Sequence, residues 1–242
     1  MKHFRIAILA LLAPCAAFAN VTEDIRAGGG AIIPQLGVSI DVAGNSGPQN
    51  HTRFSHAVDM GYAYAHSRRK QDLDPGDGPI IFGGETFQGN QDITWTSNVQ
   101  LAHIGYRPRY WFGASNFAIE GVIGLGWAGL GLKGTSTTGQ GAAERLSNGG
   151  IVFGVGGIWR FAPATTLQVR LLGFGSGKEE GVTSAARWDL TVTHAIAKNL
   201  QLRGGLATLS AYSAREDSDS NIVKSPVNAG GGGLTLGIDL LF

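Results

Sequence analysis

A histidine and a serine stand side by side at His66-Ser67, and an imidazole base beside a hydroxyl is the raw material of ester hydrolysis. The residues around them alternate as a β-strand does, however, so the two side chains point to opposite faces and are badly placed to act as base and nucleophile. No enzymatic activity is expected. His56, His103 and His194 share the parity expected for outward positions near the strand ends. They match no zinc-ligand spacing, and read as interfacial anchors. Arg68-Arg69-Lys70, followed by Asp72, Asp74 and Asp77 in DLDPGDG, offers charge for a phosphate or a calcium ion. The acids miss the EF-hand spacing, and charged loop tips are ordinarily just solvated, which is also the reading of Glu179-Glu180 and of Glu216, Asp217 and Asp219. No metal site and no cofactor is expected.

The chain that must position these residues has 242 residues, 43% of them hydrophobic and 15% charged, with a net charge of +1 and 38 glycines. So much glycine without collagen or linker periodicity suits crowded β-structure. Lys2 and Arg5, an apolar run from Ile6 to Leu12 and Ala17-Phe18-Ala19 form the three parts of a cleaved signal peptide over residues 1–19. Cys15, the single cysteine, lies within that leader, so no disulfide or thiol chemistry is expected of the mature chain. Near-neutral charge gives no reason to expect a nucleic-acid partner. No other apolar run has the roughly 20 residues of a membrane-spanning helix.

The final segment, GGGLTLGIDLLF over residues 231–242, puts apolar residues at every even position from Leu234 to Phe242 and Gly233, Thr235, Gly237 and Asp239 at the odd ones. That is a strand with two different surroundings on its two faces. Thr235, Gly237, Leu240 and Phe242 carry a polar-x-Gly-x-x-apolar-x-aromatic pattern that resembles the C-terminal assembly signal of Gram-negative outer-membrane β-barrels. In that family the barrel-assembly machinery reads the signal. RYWFGASNFAIEG likewise looks like a periplasmic turn into an upward strand of the small OmpA-type and opacity-protein barrels. The resemblance covers residues 54–242 and implies a transmembrane, antiparallel, up-and-down, all-β barrel.

Strands are expected over 54–67, 92–107, 116–132, 149–161, 165–175, 185–196, 199–213 and 231–242, eight in all. The connections 108–115, 162–164 and 197–198 are short, whereas 68–91, 133–148, 175–184 and 214–230 are longer and polar, an alternation typical of outer-membrane barrels. Residues 20–53 are expected to form an N-terminal periplasmic extension. The alternative is a pair of strands, 25–33 before Pro34 and 36–42 after it, making ten. The apolar patch 79–82 in the first loop is read as a contact surface or as strand extending above the membrane.

Within each strand one parity is apolar: Tyr62 and Tyr64; Ile93, Trp95, Val99 and Leu101; Ile123 and Leu125; Phe153 and Val155; Leu202 and Leu206. These are expected to face lipid. The opposite parity carries Asp59, Glu120, Arg160, Arg170, Arg187, Asp189, Arg203 and Asp239, expected to pair inside a plugged lumen, since buried charges without partners are costly. Two aromatic girdles are expected. Tyr64, Trp95, Trp127, Trp188 and Tyr212 would lie at the loop end, and Phe54, Phe117, Trp159, Phe161 and Phe242 at the turn end.

What the resemblance implies is an exported protein of the outer membrane, with lipid and lipopolysaccharide around it and loops free to contact a host or cell-surface ligand. A small pore is the alternative. An enzyme acting on lipid A or phospholipid comes third, because the His-x-Ser-Asn run of the lipid A deacylases is absent.

Overall fold

The computed structural model of the protein describes residues 25–43, 54–112, 115–178, 181–214 and 225–242. The expected leader 1–19, Cys15, Glu179, Glu180, Glu216, Asp217 and Asp219 lie outside the described residues.

The strands are β1 (Ile25–Ala43), β2 (Phe54–Leu73), β3 (Ile80–Phe82), β4 (Glu85–Phe87), β5 (Gln91–Trp111), β6 (Phe117–Ser136), β7 (Gly141–Ala162), β8 (Thr165–Gly175), β9 (Ser184–Ala197), β10 (Leu200–Ser213) and β11 (Val227–Leu241). Nine of them close into a barrel in the order β1-β11-β10-β9-β8-β7-β6-β5-β2, and β3 and β4 form a separate hairpin. The eight expected strands are all present as β2 and β5 to β11. Residues 25–43 correct the expectation of a periplasmic extension or a strand pair, because they form one continuous barrel strand through Pro34. The barrel therefore has nine strands, not eight or ten.

An odd number forces one parallel seam. Eight contacts are antiparallel, while β1 runs parallel to β11 from Ile25↔Val227 to Ser39↔Leu241. Ile25 thus sits at the rim that carries the long loops, and Ala43 at the rim of short turns. Pro34 marks a change in how β1 is held. Its ladder to β2 runs from Gln35↔Ala63 down to Ala43↔His56, and a residue without an N–H closes it at the upper end. Above that point β1 rests on β11 through Gly28↔Gly230, Gly29↔Gly231 and Gly30↔Gly232. A side chain on Gly233 would collide with the Ala31 carbonyl, so close backbone approach is what selects glycine there.

Two expected loops are largely strand. The β6–β7 ladder continues up to Thr135↔Gly141, leaving only Thr137 to Gln140 as the turn in place of a connection over 133–148. Within the first loop β3 and β4 pair around Gly83 and Gly84, which both take positive φ (56° and 82°), the backbone that a two-residue hairpin turn requires. This hairpin lies over the loop-end mouth. Ser225 hydrogen-bonds Ile81 twice, its N–H donating to the Ile81 carbonyl (3.1 Å) and its hydroxyl accepting from the Ile81 N–H (3.0 Å).

Candidate functional site

The interior has two tiers. Toward the turn end, inward positions of β2, β5, β6 and β8 bring Asp59 against Arg107 (2.8 Å), His103 (3.2 Å) and Arg170 (3.5 Å). Glu120 meets Arg170 (2.7 Å) and Arg109 (3.0 Å) and accepts from Gln168 (2.6 Å). Arg170 on β8 reaches across the lumen to Asp59 on β2. A second cluster joins Arg187 to Asp189 (2.8 Å) and Arg203 to Asp239 (2.6 Å), with Gln35 of β1 between them. The Gln35 amide donates to Asp189 (2.7 Å) and its carbonyl oxygen accepts from Arg187 (2.9 Å) and Arg203 (3.1 Å). Arg160 is buried with its guanidinium 4.5 Å above the Trp111 ring, a favourable place for a cation. A cavity of about 40 Å³ lies among Asp59, Arg107, Arg109, Arg203 and Asp239, room for a few waters.

The upper tier is apolar. Ile25, Ile33, Ile93, Trp95, Val99, Leu101, Leu172 and Leu209 are fully buried inside the barrel, and Phe82 and Phe87 of the hairpin are buried with them. Both phenylalanines pack edge-on against Trp95, at 5.3 and 5.8 Å between ring centroids. The Trp95 indole N–H donates to Gln71 (3.0 Å). The apolar patch 79–82 is therefore part of a plug and not a contact surface.

Each expected interior charge is inward; Asp59, Glu120, Arg170, Arg187, Asp189, Arg203 and Asp239 are ion-paired, and Arg160 lies over a ring. Arg107, Arg109, His103 and Gln35 were missed. Arg109 falls in an expected turn that is strand to Trp111, Arg107 ends the expected strand on the parity assigned to lipid, and Gln35 belongs to the strand not assigned to the barrel. His103 has the parity expected for an outward position, yet it is buried on Asp59. The same inversion covers all of upper β5: Ile93, Trp95, Val99 and Leu101 face inward, while Thr94, Thr96, Asn98 and Gln100 face out. Trp95 is therefore no girdle residue. Of the others at the loop end, Trp127, Trp188 and Tyr212 are exposed and Tyr64 is half-buried, its hydroxyl donating to Asn98 (2.6 Å). Tyr212 stands higher than the rest, opposite Ser184.

At the turn end Phe54, Phe117, Trp159, Phe161 and Phe242 are exposed. Tyr110 and Phe112, not foreseen, join Phe54 and Phe117 into one contact series (6.4, 5.3 and 5.6 Å between centroids). His56 stacks on Tyr106 and hydrogen-bonds its hydroxyl, and His194 hydrogen-bonds Thr165 (2.8 Å).

In the terminal signal, the Thr235 hydroxyl donates to the Ile33 carbonyl (2.7 Å), Gly237 lies against Gln35 and Leu240 is half-buried. Phe242 is bonded to β1 at both ends, its N–H donating to Ser39 (2.9 Å) and its carbonyl accepting from Asp41 (2.8 Å). The chain matches no family model, no curated protein and no solved structure.

His66 and Ser67 are on opposite faces. Ser67 is buried against Ser97 (2.7 Å) and the Gly230 carbonyl (2.7 Å), while His66 is exposed and bonded to Asn98 (2.7 Å). Among the described residues no group of three or more acidic, histidine or cysteine side chains is arranged to hold a metal ion. Among the described residues the interior is ionic packing toward the turn end and apolar packing toward the loop end.

Proposed function

We propose that the chain is an outer-membrane β-barrel of the Gram-negative envelope, built like the small OmpA-type and opacity-protein barrels, with a structural or surface-interaction role. The observation that carries this reading is inverted polarity. Leu125 and Leu236 are each 66% exposed, whereas Arg187 and Asp189 are 2% and 1% exposed. In water both arrangements would be costly, and a contiguous apolar surface of this kind marks contact with another apolar phase. The exposed run on β6 from Phe117 to Trp127 corresponds to about 33 Å of strand at ~3.3 Å per residue, or about 25 Å of height at a tilt of about 40°. That is the height of an outer-membrane apolar band.

The partners that follow are outer-membrane lipid, lipopolysaccharide, and the assembly machinery acting on Thr235, Gly237, Leu240 and Phe242. A host or cell-surface ligand would meet the loops. The plugged interior gives the pore reading no support, and the separation of His66 from Ser67 removes the only residue pair behind the lipid-modifying one.

The test is membrane fractionation with gel migration before and after boiling, followed by planar-bilayer recording. The expected result is an outer-membrane protein whose unboiled form migrates differently, loses that form when Phe242 is deleted, and conducts no steady ionic current. A soluble protein without the shift would overturn the reading. Steady conductance would replace it with the pore.

A further inference from the structure

On the outer face of β1, β2, β5 and β6, small Ala102 lies between larger neighbours and leaves a groove of about 450 Å³ walled by Leu36, Met60, Tyr62, Ile104, Leu125 and Trp127. This volume lies in the range of small-molecule sites. The ladders fix what stands above it. One row runs His66↔Asn98↔Gly131↔Arg145, and the next runs Arg68↔Thr96↔Lys133↔Ala143. Every member of the two rows has outward parity, and His66, Arg68, Lys133 and Arg145 are exposed.

The charges in these rows are one-sided. Lys70, one row higher, is neutralised by Asp92 (2.5 Å) and Asp72 (3.5 Å). Arg68, Lys133 and Arg145 have no ion pair among the described residues. No carboxylate faces outward on β2, β5, β6 or β7 in these rows. Adjacent strands are about 4.8 Å apart, so Arg68 and Lys133 stand about 10 Å apart with the polar Thr96 between them. Gly131, with no close neighbour beyond Asn98, keeps the centre of the patch shallow.

We propose that this face is a lipopolysaccharide site. Acyl chains of lipid A lie in the groove, and the phosphates above them are bound by Arg68, Lys133 and Arg145, with His66 and Asn98 as hydrogen-bond partners. The proposal rests on the outer-membrane reading, and it follows from two positions. The patch is at the loop end, hence in the outer leaflet. Its cations also stand four to six residues above Trp127, about 13 to 20 Å along the strand at ~3.3 Å per residue. Long basic side chains shorten that span by reaching down, but a thick, phosphate-bearing head group fits it and the thin one of a glycerophospholipid does not. Guanidinium groups suit phosphate because they pair with it bidentately.

The experiment titrates the full chain, folded in detergent micelles, with fluorescently labelled deep-rough lipopolysaccharide, its dephosphorylated form and phosphatidylglycerol. Gel migration of each variant before and after boiling reports folding. Wild type is expected to bind phosphorylated lipopolysaccharide at least about tenfold more tightly than either comparison lipid, as charge-assisted phosphate contacts require. The combined Arg68→Gln, Lys133→Gln, Arg145→Gln variant loses that preference, and Lys70→Gln, whose charge is already neutralised, keeps it. Ala102→Phe, which fills the groove, weakens binding of both lipopolysaccharide forms. Undiminished binding by the triple variant, or equal affinity for phosphatidylglycerol, would overturn the site while leaving a heat-modifiable barrel intact. A wild type without the heat-dependent shift would bring down the membrane reading, and this one with it.

Discussion

Glu120 illustrates what a single side chain does in this interior. It is the one carboxylate shared by Arg109 and Arg170, and it also holds Gln168. Replacing it with Gln keeps the shape but removes the charge that compensates two buried guanidinium groups. A cost of about 3–5 kcal/mol is expected, as for other broken buried pairs, read as a lowered urea midpoint of the refolded protein. Glu85→Gln, on the exposed hairpin strand β4, should stay within about 0.5 kcal/mol of wild type. Equal effects would mean that the interior charges are solvated. The acid at 120 was legible from its parity alone. Arg109 was not, because Pro108 signals a turn, whereas β5 runs through it where its ladder to β6 skips residues 107 and 108, so one of the two ionic partners of Glu120 was invisible before the fold was known.

At the scale of elements, β1 decides the architecture. Its N-terminal half is a glycine run on a parallel partner, and its C-terminal half adds an antiparallel ladder to β2 that shifts register between Asp41 and Ala43. Residues Leu36 and Ile238 are direct partners across the seam, so cysteines placed there should oxidise to a disulfide, since paired Cα atoms lie within the usual span of about 4.4–6.8 Å. A cysteine pair at Met60 and Leu240 should not form one, because β1 stands between β2 and β11. The reverse result would describe an eight-stranded barrel with β1 outside it. The strand was hard to assign from sequence for a physical reason. Pro34 interrupts the alternation and reads as a break, and only a neighbour on the other side, β11, makes a strand through it affordable.

For the whole molecule the question is what phase surrounds it. Leu125 is outward at mid-belt and Thr135 outward near the loop-end rim of the same strand. Leu125→Arg is expected to cost about 2–4 kcal/mol in a bilayer, and Thr135→Arg about 0–1 kcal/mol, following the depth dependence of charge on lipid-facing strands. Unfolding of the two variants in liposomes, compared with wild type, measures the difference. Equal tolerance would contradict the membrane reading and point to a barrel in water.

Alternation and chain punctuation by themselves determined the strands β2 and β5 to β11, the outward apolar sets from Ile123 to Leu206 and the inward charges from Asp59 to Asp239. Those features are local, and a two-residue period survives in any surroundings. The tertiary structure alone decided three other matters. It closed the barrel with nine strands, because closure depends on which edges meet and not on any one segment. It turned Trp95 and its β5 neighbours inward, because alternation gives two faces without saying which is the lumen, and the β3–β4 hairpin supplies an apolar interior at that height. It also brought Gln35, Arg187 and Arg203 together from β1, β9 and β10, a distance in sequence that no spacing rule spans.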